Sequence, residues 1–173
     1  MFIDPVTITN QLSVVGGVTF HIALADDPYL TGPSHYGAIP PPGYVIVQPY
    51  PNIGVQADIV RQEPSIRGHI QSARVTVDGQ TGQPAIDFRF DAVGTREFCR
   101  ITRQHVGGRF AMLVGGKVVT GPRINEPICG GAGMITGQFQ AAEAQNLADL
   151  ISLSALPASF TVVKTGRGEP PNP

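Results

Sequence analysis

The sequence predicts an α+β fold, on three observations. Glycine and proline, at 21 and 16 of 173 residues, supply many turns and suit short strands better than a bundle of long helices. Several runs alternate apolar and polar residues with the period of a strand. Two stretches, one after Asp91 and one from Gln140 to Ala155, carry the period of a helix instead. A chain of this length buries roughly 70% of the surface its unfolded form exposes, enough for one ordinary core or two small lobes without disulfides or metal.

Taken in order, Asp4-Pro5 followed by Val6, Ile8 and Leu12 reads as a short capped helix ended by Gly16-Gly17. Val18 to Ala25, with Phe20, Ile22 and Leu24 alternating, reads as a half-buried strand. From Asp26 to Gly43 the composition turns to Pro, Gly, Ser and Asp, a long loop ending in Pro40-Pro41-Pro42-Gly43. Tyr44 to Val47, Val55 to Arg61 and His69 to Val77 are three further strands. Asp78 to Gly82 turns the chain into a strand from Pro84 to Phe90, where Ile86, Phe88 and Phe90 share one face.

Asp91 caps a helix on which Phe98, Ile101, Thr102 and His105 fall a turn apart, and Gly107 stops it. Phe110 to Val114 and Lys117 to Val119 flank Gly115-Gly116, which supplies the positive φ angles of a two-residue hairpin. Arg123 to Ile128 and Met134 to Thr136 follow as short strands. The last helix, Gln140 to Ala155, has a stripe of Ala144, Leu147, Ala148, Ile151 and Ala155, and Pro157 ends it. Phe160 to Val163 returns as a strand, and residues 166–173 have the composition of a disordered tail.

A formal net charge of −1 leaves no electrostatic footprint for nucleic acid or anionic lipid. No apolar stretch approaches the roughly 20 residues of a spanning helix, and the N-terminus lacks a basic region followed by an apolar one. The sequence thus predicts a soluble chain without an export signal, a nucleic-acid partner or a membrane segment.

Catalytic and ligand-binding patterns are sparse. Cys99 lies between Arg96 and Arg103 on one helix, and positive charge favours a thiolate, but a nucleophile also needs a base. His105, six positions on, points about 120° away. The alternative is a small, half-buried helix residue. Pairing of Cys99 with Cys129 is left open. The glycines at 130, 131 and 133 precede a strand instead of a helix N-terminus, which is the pattern of a turn and not of a phosphate cradle. Asp26-Asp27 with His21 or His35 lacks ligand periodicity, so neither a metal nor a cofactor is expected. Phe88 and Phe90, with Phe110 and Met112, form two apolar faces that either line a groove for extended polypeptide or belong to the core.

From Ser72 to Val163 the motifs form one ordered string. Ala73/Val75 precede Thr81-Gly-Gln-Pro-Ala85, Phe88/Phe90, Asp91/Gly94/Phe98 and Thr102/Val106/Gly107. Gly116-Lys-Val-Val119 follows, then Pro122/Ile124/Glu126/Pro127/Ile128, Gly130/Gly131/Ile135/Gly137/Phe139, Glu143/Ala144/Leu147/Ala148 and Ala155-Leu-Pro-Ala158. This succession resembles the first extracytoplasmic domain of the SecD family, membrane subunits of the bacterial protein-export translocase. The resemblance implies two lobes: a partial ferredoxin-like base from residues 1–25 and 133–165, and an inserted mixed α/β head from 26–132.

It also implies a non-enzymatic role in late protein export on the outer, periplasmic face of the inner membrane. Unfolded polypeptide is the implied partner, with other Sec translocase subunits beside it. Phe88, Phe90, Phe110 and Met112 are the candidate polypeptide-binding residues. The chain departs from the family pattern at Gln140, where a better capping residue is usual, and at Lys164 to Gly168, where acids are usual. A freestanding, diverged interaction or scaffold module is the alternative.

Overall fold

The computed structural model describes residues 17–24 and 40–154. The expected N-terminal helix, most of the long loop, the Phe160–Val163 strand with its proposed pairing, and the tail lie outside these residues. The fold is α+β, with nine strands and two helices among the described residues.

The strands are β1 (Val18–Ala23), β2 (Tyr44–Val47), β3 (Asp58–Arg61), β4 (Ile66–Arg67), β5 (Ile70–Val77), β6 (Pro84–Phe90), β7 (Arg109–Val114), β8 (Lys117–Thr120) and β9 (Ala132–Ile135). The helices are α1 (Ala92–Gln104) and α2 (Ala141–Leu153). Six strands form one antiparallel sheet in the order β2-β3-β1-β7-β8, with β4 also paired to β1. The second sheet has the order β5-β6-β9. β1 thus pairs with strands of the expected head, and β9 with β6, so both sheets cross the expected lobe boundaries.

The larger sheet curls until its ends meet. Beyond β2, the Tyr50 N–H donates to the Val118 carbonyl (2.8 Å) and the Val118 N–H donates to the Gln48 carbonyl (2.9 Å). One face of β1 and β7, with Ala23, Ala111 and Leu113, packs with Val47, Val60 and Val118 inside the curl. The other face, with Val18, Phe20, Ile22, Phe110, Met112 and Val114, joins the main core. The run Phe110 to Val114 is apolar at every position because both of its faces are buried, which hides the alternation of an ordinary strand.

Several elements begin and end where local chemistry dictates. The Asp91 carboxylate accepts the Gly94 N–H at 2.7 Å and caps α1. Gly115 and Gly116, with φ of 58° and 75°, make the hairpin turn between β7 and β8. The Glu143 carboxylate accepts the Gln140 N–H (3.0 Å), so the third residue of α2 secures the helix start despite the departure at Gln140. The buried stripe of α2 is Ala144, Leu147, Ala148 and Ile151, and it lies on β5 and β6.

Several boundaries differ from those read in the sequence, and one expected strand is absent among the described residues. β3 begins at Asp58, since β2 offers it only four partners before Pro49 and Pro51 interrupt pairing. β5 begins at Ile70 because His69, at φ 62°, belongs to a turn. β9 covers Ala132–Ile135 because β6 pairs Arg89 with Ala132. Arg123 to Ile128 is no strand: apart from one bridge, Arg109 to Arg123, Pro122 and Pro127 deny it a ladder.

Candidate functional site

The four residues singled out for polypeptide contact come together where the two sheets face each other. Phe88 and Phe90 are carried by β6, and Phe110 and Met112 by β7. Phe20 on β1 and Phe98 on α1 complete the cluster. Ring centroids are 5.1 Å apart for Phe20 and Phe90, 4.9 Å for Phe90 and Phe98, 5.1 Å for Phe98 and Phe110, and 5.4 Å for Phe88 and Phe90. These spacings suit tilted and edge-to-face pairs. Phe88 and Phe90 are each 4% exposed, Phe110 is 6% and Met112 is 0%. All four are core residues in this structure, in keeping with the core alternative read in the sequence.

Two glycines let the rings lie this close. A Cβ on Gly133 of β9 would come within 2.6 Å of the Phe88 ring, and one on Gly94 of α1 within 2.8 Å of Phe90. The glycine-rich segment leading into β9 is therefore a packing device, and it turns at Gly131 (φ 68°), where a Cβ would come within 2.6 Å of Thr95 in the first turn of α1. The outer face of the three-stranded sheet is polar. There Arg74 pairs with Asp87 (3.2 Å), opposite Met134, which is 50% exposed.

Cys99 and Cys129 are joined in a disulfide, which answers the pairing question and removes the thiolate a nucleophile would need. Sequence spacing carried no signal for it. Thr102 reinforces the same joint: its hydroxyl donates to the Phe98 carbonyl (2.7 Å) and accepts the Ile128 N–H (2.9 Å). The His105 Nδ1 donates to the Ile101 carbonyl at 2.9 Å.

His21 is also spoken for. Its Nδ1 donates to the Arg61 carbonyl (2.7 Å), and its Nε2 accepts from the Thr19 hydroxyl (3.0 Å). Burial lowers its pKa, which favours this neutral form. Asp26, Asp27 and His35 lie outside the described residues. Among the described residues no three His, Cys, Asp or Glu side chains group as metal ligands.

Sequence reasoning also missed the Asp58–Arg109 ion pair. Arg109 Nη2 lies 2.8 Å from Asp58 Oδ2, and the Asp58 side chain is only 6% exposed. Arg109 donates further to the Gly121 carbonyl. A lone acid at the start of a strand is an ordinary surface pattern, so nothing in the sequence marks this pair.

A surface hollow of about 630 Å³ lies between the Asp78–Gln83 turn and residues 136–140. Asp78 is committed to its own turn, accepting from the Gln80 N–H and the Thr81 hydroxyl at 2.9 Å each. These bonds hold its pKa below the usual range. Among the described residues no helix is long and apolar enough to cross a membrane.

The geometry defines a disulfide-stapled α+β module built around a phenylalanine cluster between two sheets. The family model described as "SecDF, P1 head subdomain" matches residues 49–158, and the chain belongs to that family. It is 36% identical over 163 residues to the protein translocase subunit SecD of Acetobacter pasteurianus, covering 93% of this chain and 30% of that protein. Against the subunit of the same name from Rickettsia typhi it is 29% identical over 162 residues, covering 93% and 31%. The chain thus spans less than a third of the length of these curated relatives.

A solved chain described as "Structure and function of a membrane component SecDF that enhances protein export" shares the fold, with a TM-score of 0.58 at 22% identity. The match covers 94% of this chain and 77% of that one.

Proposed function

We propose that this chain is a periplasmic SecD-type module that guides unfolded polypeptide during late protein export, without catalysis. The match to the SecDF P1 head family over residues 49–158 carries the reading. The names of the relatives support it, since each is a protein translocase subunit. The disulfide supports the compartment, because such bonds persist where the surroundings are oxidising.

In this reading Phe88, Phe90, Phe110 and Met112 are the contact surface, reached when the two sheets part. A division into a base of residues 1–25 and 133–165 and a head of 26–132 belongs to the same proposal, as do other Sec subunits as partners. Apolar and Met side chains on both walls suit varied, extended partners, and backbone pairing supplies the rest of the affinity.

The test is titration with unfolded polypeptide, read by calorimetry and by amide exchange. Saturable binding with altered exchange along β6 and β7 is expected. Absence of binding at millimolar peptide overturns the proposal. One observation favours a second reading, a scaffold module for folded partners: the four side chains are closed off in the core. That reading predicts pull-down of a folded protein and indifference to unfolded chains.

A further inference from the structure

The Cys99–Cys129 disulfide is more than a staple. It lies in a surface groove of about 500 Å³ flanked by Arg96, Arg100 and Arg103 of α1. Cys129 is exposed and Cys99 half-buried. Beside Cys129, a Cβ on Gly130 would meet nothing within 4 Å, so the space around this neighbouring residue is open. The guanidinium of Arg103 instead sits on the other sulfur, with Nη2 at 3.7 Å from Cys99 Sγ. Arg100 shares its charge with Glu97 at 2.7 Å. Arg96 and Arg103 have no carboxylate partner among the described residues. The groove therefore has an accessible sulfur, a second sulfur beside a cation, and uncompensated positive charge around both.

We propose that this groove is a thiol–disulfide exchange site for a small thiol bearing carboxylates. The incoming thiolate attacks Cys129 Sγ and forms a new S–S bond. The Cys99–Cys129 bond breaks, and its electron pair leaves on Cys99 as a thiolate. Arg103 favours that departure, because nearby positive charge lowers a thiol's pKa and a less basic thiolate leaves faster. A second thiolate attacks the mixed disulfide, releases Cys129 as a thiolate and carries away the oxidised thiol. Two electrons pass from two thiols to the protein.

The arginines draw in an anionic thiol in preference to a cationic one, and the groove has the volume of a small-molecule site. Contacts besides the disulfide also hold this joint: the Ile128 N–H donates to the Thr102 hydroxyl, the Phe90 N–H donates to the Gly131 carbonyl (2.9 Å), and Ile124 is fully buried. Exchange at the sulfurs breaks none of these bonds directly.

Glutathione and cysteamine, compared at equal thiolate concentration, test the site. At low salt the anionic glutathione is expected to react several-fold faster, and the ratio to fall toward one at about 1 M salt, where screening lengths shrink to about 3 Å. Peptide mapping of the trapped adduct is expected to place it on Cys129. Arg103→Gln is expected to slow the first step several-fold with unchanged far-UV circular dichroism. Equal rates at low salt, an adduct on Cys99, or an unchanged rate in a folded Arg103→Gln protein overturns the proposal. Should that variant fail to fold, the charge and salt comparison on the unaltered protein decides alone.

Discussion

Asp58 and Arg109, 51 positions apart, meet in a two-pronged ion pair, with Oδ2 to Nη2 at 2.8 Å and Oδ1 to Nη1 at 3.4 Å. They sit on β3 and β7, which flank β1, and Arg109 is the register partner of Ala23 at the end of that strand. Removing one partner of a buried pair leaves the other charge without compensation. Asp58→Ala is expected to cost about 3 kcal/mol, the low end of the range for such a loss, because Arg109 keeps the Gly121 carbonyl. Urea denaturation of Asp58→Ala, Arg109→Ala and the double variant checks this. The double variant should lose less than the sum of the two. Additive losses would show that the two side chains do not act as a pair.

Gly133→Ala places a methyl within 2.6 Å of the Phe88 ring. Overpacking of this kind costs about 1–3 kcal/mol. The same change combined with Phe88→Leu, which removes the obstructing ring atoms, should recover part of the loss. A Gly133→Ala protein with an unchanged thermal midpoint would show that the contact does not constrain the core.

The Asp91 carboxyl titrates below its usual 3.8, first because it accepts the Gly94 N–H and then because His69 lies 3.0 Å away. A depressed carboxyl stabilises the fold above its unfolded pKa, and that contribution disappears as pH falls through the folded value. Asp91→Ala should therefore cost about 1 kcal/mol at neutral pH, as loss of a helix cap does. The gap to the unaltered protein should close below the usual value of 3.8. A gap that stays constant down to strongly acidic pH would separate the cap from its charge.

The disulfide closes a loop across a separation of 30 residues. Chain-entropy arguments assign such a crosslink about 3.5 kcal/mol of stability. The Cys99→Ser/Cys129→Ser double variant should show an unfolding free energy in urea lowered by about that amount, with a steeper denaturant slope because its unfolded chain is no longer crosslinked. A loss much below 1 kcal/mol, small against the chain-entropy value, would mean that Thr102 and Ile124 already hold the segment.

Much of the fold was legible because its signals are local. Asp91 announces a cap, Gly115-Gly116 a hairpin, and the spacing of Ala144, Leu147, Ala148 and Ile151 a buried helix face. The family was legible for a different reason, since its motifs recur in fixed order. What stayed hidden depends on which distant residues meet. β4 has only two residues, too few for periodicity, and exists because β1 pairs Thr19 with Arg67 and Phe20 with Ile66. The burial of Phe88, Phe90, Phe110 and Met112 follows from β6 and β7 facing each other, which alternation within either strand does not specify. The disulfide and the Asp58–Arg109 pair are likewise products of tertiary placement.

The curled sheet carries a consequence for how the chain acquires its shape. Its central pairing joins Val18 to Val114, and its closure joins Pro49 to Val118. During synthesis the first strand therefore has no lasting neighbour on that side until Arg109 to Val114 have emerged. Contacts of such long sequence separation fold in milliseconds to seconds instead of microseconds. Throughout that interval Phe20 and Ile22 are uncovered, and the nascent chain itself is briefly the kind of sticky, extended polymer that export machinery exists to handle.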